Sequence, residues 1–249
     1  MAAATDTIIA FLDELLRPAD FDDYCPNGLQ VPGPEQVGTV VTAVSAGAGL
    51  FERAAAEGAD LVLVHHGLFW DGAPRALDAH SKRRLKLLFD HDIALAAYHL
   101  PLDAHPEHGN NALLAQAIGA LPTAPFEVGF EAAFDGDGVE PAELVRRVAE
   151  AVGGREPLAL LHGPARVRTI GIVSGAAQGL LPRAIAAGLD AYLTGEASER
   201  NLNEAGEGGI HFLAGGHYAT ETLGVRRLGE LLEARLGVRH VFVDLPNPI

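Results

Sequence analysis

Apolar positions along this chain follow two periods, and their alternation sets the expected architecture. Residues 7–16 carry helical apolar spacing, with Thr5 or Asp6 as cap and Pro18 as stop. The segment "YCPNGLQVPG" then reads as a loop, because Pro26, Asn27, Gly28, Pro32 and Gly33 punctuate it. "TVVTAVS" (39–45) predicts a β-branched strand, 48–58 an alanine-rich helix ended by Gly58, and "DLVLVHH" (60–66) a buried strand. A basic helix around 80–90, a strand "DIALAAYH" (92–99) and a helix from about 111 to 118 follow. Regularity falls from residue 120 until a helix at about 141–152, and strand, helix and strand then recur through "RTIGIVSGAAQGLLPRAIAAGLDAYLTGE". Such alternation predicts an α/β fold.

The recurrence is a repeat. At a shift of 130, residues 44–66 match 174–196 at nine of 23 positions, including Gly49/Gly179, Arg53/Arg183, Gly58/Gly188 and Asp60/Asp190. After the next strand of each half comes a histidine with a carboxylate four residues later: His99 and Asp103 in "HLPLD", His217 and Glu221 in "HYATE". The expected organisation is a first α/β repeat over 1–120, a short connecting segment with one helix over 121–165, and a second repeat over 166–249. Open α/β sheets place ligands at the carboxyl ends of their strands, and the two halves would bring polar groups to one cleft there.

Those polar groups are metal-ligand types. Neutral imidazole and carboxylate together suit borderline divalent ions such as zinc, iron, manganese, cobalt or nickel. His65 and His66 end the strand of the first half, where Gly195 and Glu196 stand in the second. Neighbours on a strand point to opposite faces, so the pair is expected to splay and serve two ions rather than one. The i, i+4 spacing of His217 and Glu221 puts both on one helical face, and Glu221 is the expected bridge. A single strand-end histidine is more often structural, and an H-x-x-x-[DE] pattern recurs by chance among 11 histidines. The same spacing after equivalent strands of a repeat, next to a histidine pair, favours the metal reading.

Other residues keep two readings. His99 either orients a ligand or substrate or makes a structural hydrogen bond. Glu196 is either a proton carrier in the cleft or a surface acid ending a strand. Gly215 and Gly216 serve either an anion or close packing, Asn27 and Gly28 are read as a turn, and Phe69 and Trp70 as core or subunit-contact residues. His105 and His108 are expected on an exposed loop.

Charge and cysteine content narrow the classes. A net charge of −15 argues against nucleic-acid partners and anionic membranes. The single cysteine, Cys25, excludes an internal disulfide and any multi-thiolate zinc site, and suits a reducing compartment. "MAAATDTIIAFLDELLRP" lacks the basic region of a signal peptide, and no apolar run approaches the roughly 18 residues of a membrane span, so the expected location is cytoplasmic.

"YCPNGLQVPG", "DLVLVHHGLFW", "HLPLDAHPEHGNNALLA", "LTGEASE", "AGGHYATETLGVRRLGELL" and "DLPNP" together resemble the Nif-three-like dinuclear-metal proteins, the GTP cyclohydrolase 1 type 2 homologues, in their YbgI branch. The resemblance implies two intertwined, duplicated α/β repeats with mixed sheets around a shared metal cleft. It also implies a toroidal homohexamer, a trimer of dimers, and two divalent ions per subunit held by His65, His66, Asp103, His217 and Glu221. Many relatives carry an Asp where this chain has Ser45, and others carry an inserted domain for which 120–165 is too short. The activity expected is a metal-dependent hydrolase acting on a small, nucleotide-like substrate through a metal-bridging hydroxide, with Glu196 or His99 moving protons. GTP cyclohydrolase activity enters through the family label alone. The alternative is a non-enzymatic hexameric protein that binds or delivers metal.

Overall fold

The computed structural model describes residues 1–74 and 76–249, and the chain divides into two compact units. Residues 1–102 with 224–245 form the first, and 103–223 with 246–249 the second.

In the first unit a five-stranded sheet runs Arg239–Phe242, Thr39–Ser45, Leu61–His66, Ala94–Ala97, Gly28–Val31. The first four strands are parallel, and Gly28–Val31 closes the sheet antiparallel to Ala94–Ala97. Leu61 to Val64 and Ala94 to Ala97 are fully buried, which is why these strands read as continuous apolar runs rather than alternating ones. Helices Ala48–Ala56 and Ala79–Asp90 pack on this sheet through Leu50, Phe51, Ala54 and Leu88. The basic helix begins where Asp78 accepts a hydrogen bond from the Ser81 amide at 2.7 Å, an N-cap that satisfies one of its first-turn donors.

The second unit holds a six-stranded mixed sheet in the order Leu121–Phe126, Gly129–Ala133, Thr169–Ile172, Ala191–Thr194, His211–Ala214, Leu158–Leu161. Its three parallel central strands carry the same register as the first unit: Val40 pairs with Leu61 as Ile170 pairs with Ala191. An antiparallel strand follows the third central strand in both sheets. The duplicated "G-x-D" has a defined task in each copy. Asp60 Oδ2 accepts the amides of Gly38 and Thr39 at 2.7 and 2.9 Å, and Asp190 Oδ2 accepts those of Arg168 and Thr169 at 2.8 and 3.0 Å. Each aspartate thereby fixes the start of the neighbouring strand. Gly58 and Gly188 precede them at φ +66° and +71°, a conformation that carries no Cβ penalty in glycine.

The region of low regularity after residue 120 contains a hairpin, Leu121–Phe126 against Gly129–Ala133. Pro122 and Pro125 obscure it in the sequence, and both are tolerated because Leu121–Phe126 is an edge strand. The loop read over 24–33 contains the short strand Gly28–Val31. No helix among the described residues is long and apolar enough to cross a membrane.

Candidate metal centre

In the first unit, Leu61–His66 ends with His65 fully buried and His66 half-buried. Their ring centroids lie 4.6 Å apart with planes at 45°, nearer to each other than opposite-face placement would bring them, since His66 is the last residue of the strand. His99, after the next strand, stands 4.9 Å from the His65 ring and 5.6 Å from the His66 ring. One donor atom from each of these three histidines falls within 4.8 Å of the others, close enough for such a group to hold a metal ion.

Each ring is oriented through Nδ1. His65 Nδ1 donates to the Tyr98 carbonyl at 2.9 Å, which fixes the proton on Nδ1 and the lone pair on Nε2. His66 Nδ1 meets the Ser45 hydroxyl at 3.0 Å, so Ser45 supplies an oxygen at the position where many relatives carry an acid. His99 Nδ1 pairs with Asp23 at 2.9 Å. Burial would raise the Asp23 carboxyl, but hydrogen bonds from His99, Asn27 and the Leu100 amide outweigh it and bring the pKa down to about 2. Asn27 also accepts the His99 amide at 2.7 Å, so the "PNG" segment braces this strand end as well as turning the chain. Cys25 belongs to the same corner. Its Sγ lies 3.8 Å from Asp23 Oδ1, burial with the nearby carboxylates pushes the thiol up to about 12, and Asp23, Cys25 and His99 each bring a donor atom within 4.8 Å of the others.

In the second unit, Asp103 is buried and accepts hydrogen bonds on Oδ1 from Asn110 at 2.9 Å and from the Ser174 hydroxyl at 3.2 Å. Asn111 ties the Asp103 carbonyl to the Ser174 amide, donating to the first and accepting from the second. Sequence reading did not single out these three residues. The available signal was the adjacent pair Asn110–Asn111 opening a helix, both fully buried despite their polarity.

His217 opens the helical turn His217–Thr220, and Glu221 follows it, 3 % exposed. His217 Nε2 lies 3.2 Å from Glu221 Oε2, and Nδ1 lies 2.6 Å from Glu196 Oε1. The hydrogen bond to Glu221 is the main cause that raises the His217 pKa to about 9, with Glu196 adding to it against the opposing effect of burial. A histidine bracketed by two carboxylates marks a place that attracts positive charge, whether a proton or a metal ion. Glycines make the room. A Cβ on Gly175, at φ +66°, would collide with Glu221 Oε1 and stand 3.4 Å from His217 Nε2. A Cβ on Gly195 would lie 2.7 Å from His217 Cα. Close packing therefore accounts for these positions, and for Gly216, whose Cβ would meet Arg155 at 2.9 Å.

Histidines elsewhere behave differently. His211 accepts the Gly163 amide on Nδ1 and donates from Nε2 to the Pro164 carbonyl, so both its nitrogens serve the fold. His240 uses Nε2 on the Thr42 hydroxyl. His105 and His108 stack at 4.9 Å in a half-buried loop, where His105 Nδ1 accepts two backbone amides. Trp70, read as a core or contact residue, is half-buried with its ring 5.8 Å from His66 and 5.3 Å from His99.

Comparison with known proteins identifies the family. The family model of Duf34/NIF3 (NGG1p interacting factor 3) matches residues 3–248. A Pseudomonas aeruginosa protein named GTP cyclohydrolase 1 type 2 homolog is 46% identical over the whole of both chains. The solved structure of protein ybgI, described as of unknown function, superposes with a TM-score of 0.95 at 39% identity, covering 99% of this chain and 100% of that one. TTHA1606 from Thermus thermophilus superposes at 0.93 with 40% identity and the same coverage. The fold, the repeat and this likeness along nearly the full length show that the chain belongs to the Duf34/NIF3 family.

Proposed function

We propose that the protein is a dinuclear metal-binding protein in which His65, His66, Asp103, His217 and Glu221 ligate two divalent ions, and that it acts as a metal-dependent hydrolase on a small substrate. The observation that carries the reading is the treatment of three histidines. His65, His66 and His217 each engage an oxygen through Nδ1, respectively a carbonyl, a hydroxyl and a carboxylate. Metal-bound imidazoles are held in this way, because the outer hydrogen bond fixes the tautomer and aims Nε2. The donor set of imidazole and carboxylate without thiolate fits zinc, iron, manganese, cobalt or nickel.

Bound divalent ions would supply a water of lowered pKa and compensate charge on a developing oxyanion. The chain's own residues do the positioning. Asn110 and Ser174 orient the Asp103 carboxylate. Glu196, engaged with His217 Nδ1, fits a positioning role better than that of a proton carrier. His99, held by Asp23 beside His65 and His66, is the candidate to orient substrate or hold a proton at Nε2. The GTP ring opening named for the relatives is one substrate hypothesis within this class, and the homohexamer belongs to the same proposal through the family resemblance.

A non-enzymatic role in metal handling would use the same ligands. The test is a turnover screen of metal-loaded protein against phosphate esters, cyclic amidines and nucleotides, beside Glu221→Ala. Metal-dependent turnover abolished in the variant supports the hydrolase. Fast metal exchange with no turnover of any class replaces it with the metal-handling role.

A further inference from the structure

The second unit contains a cavity of about 550 Å³ whose wall includes Arg155, Pro157, Gly195, Glu196, Ala197 and Pro248. Glu196 is the residue engaged with His217 Nδ1, so the cavity adjoins one end of the candidate metal centre. Arg155 supplies its positive charge. Its side chain presses on the backbone just before His217, where the absence of a Cβ on Gly216 admits the guanidinium stem. Other arginines of this unit are neutralised: Arg146 and Arg147 pair with Glu143, Arg168 with Asp137, and Arg183 with Glu127. Among the described residues Arg155 has no ion pair, and its hydrogen bond to the Asn247 carbonyl is long, at 3.5 Å.

Arg155 is half-buried, shares its cavity wall with Glu156 and Glu196, and makes an ion pair with neither, in a chain of net charge −15. It is always protonated, and its planar fork matches two oxygens of one anion. Pockets for small molecules combine an apolar wall with a few polar groups that fix orientation, and Pro157, Ala197 and Pro248 with Arg155 and Glu196 provide that mixture. We propose that Arg155 is the anchor for an anionic oxygen group, a phosphate or a carboxylate, of the molecule on which the metal centre acts. This inference rests on the metal reading for its purpose but not for its binding chemistry. An anchored anion would set the distance from that group to the reacting bond, so that remote binding energy orients the substrate.

Arginine-selective labelling with phenylglyoxal, read peptide by peptide by mass spectrometry, tests it on the whole wild-type protein. Metal-loaded and chelator-stripped samples are each labelled with inorganic phosphate, with malonate, or with chloride at equal ionic strength. Arg84 is a second half-buried arginine without an ion pair among the described residues, and it lines a separate cavity, so it serves as the internal control. The expected result is saturable, severalfold slowing at Arg155 by phosphate or by malonate, in both metal states, with Arg84 unaffected. Slowing by phosphate identifies a phosphate group and slowing by malonate a carboxylate. No protection by either anion, equal protection of Arg84, or protection confined to metal-loaded protein would overturn the assignment. Because the stripped sample contains no divalent metal, loss of the metal reading leaves this result intact and the two failures stay distinguishable.

Discussion

Replacing Glu196 with alanine removes the carboxylate that holds His217 Nδ1 at 2.6 Å, so that this side of the ring no longer fixes its orientation and tautomer, while Nε2 keeps Glu221 at 3.2 Å. Deleting an outer partner of a metal-bound histidine lowers metal affinity by about 10- to 100-fold. At about 1.4 kcal/mol per decade this is a loss of roughly 1.4 to 2.8 kcal/mol. Glu196→Gln keeps an oxygen that accepts from Nδ1–H and forfeits only the charge. A charge-assisted bond is roughly twice as strong as a neutral one, so the glutamine variant should lose about half as much free energy. The assay is competition for Co²⁺ or Zn²⁺ against a chromogenic chelator, with circular dichroism to establish that both variants are folded. The predicted order of affinity is wild type, Glu196→Gln, Glu196→Ala. A folded alanine variant with wild-type affinity would refute the positioning role and return Glu196 to a surface acid.

Trp70 is the single tryptophan, and its ring lies 5.8 Å from His66, so Co²⁺ should quench its fluorescence saturably and His66→Ala should abolish the effect; quenching that only rises linearly with Co²⁺ would contradict binding at His66. Asp60→Ala deletes two hydrogen bonds to the amides that start Thr39–Ser45, and Asp190→Ala does the same for Thr169–Ile172. Each should cost about 2–4 kcal/mol, read as a lowered urea midpoint, given about 1.5–3 kcal/mol for each bond to a charged group and partial access of the released amides to water. Asp23 is held at about 2 against an ordinary value of 3.8, so its folded state is stabilised above the ordinary value and loses that contribution as pH falls through about 2. The contribution is about 2 kcal/mol at neutral pH, and Asp23→Asn should flatten the acid limb of stability between pH 4 and 2; an unchanged acid limb would count against it.

Much of the fold was legible because burial leaves a mark on composition. Leu61–His66 and Ala94–Ala97 lie in the interior of a mostly parallel sheet, so their apolar runs stood out, and Gly58 and Gly188 marked the turns of the repeat. The strands Leu121–Phe126 and Leu158–Leu161 were missed because both are half-exposed edge strands, and Pro122 and Pro125 further blur the period of the first. The ligand-type residues were legible from chemistry and repetition. Their supports were not, since Tyr98 acts through a main-chain carbonyl, Ser45 through one hydroxyl, and Asn110, Asn111 and Ser174 through contacts that close only when distant segments fold together. The sequence places the divergent pair His65 and His66 at the end of a strand, and there their rings stand 4.6 Å apart with Nδ1 engaged by different partners, the Tyr98 carbonyl and the Ser45 hydroxyl.

Metal content per chain tests the central claim most directly. Wild-type protein, purified without affinity-tag metals, should be compared by elemental analysis with His65→Ala and Glu221→Ala. The account predicts stoichiometric divalent metal in the wild type, approaching two ions per chain, and a marked loss in both folded variants. Wild-type protein without stoichiometric metal after exposure to zinc, iron, manganese, cobalt and nickel, or variants that retain the full complement, would contradict it.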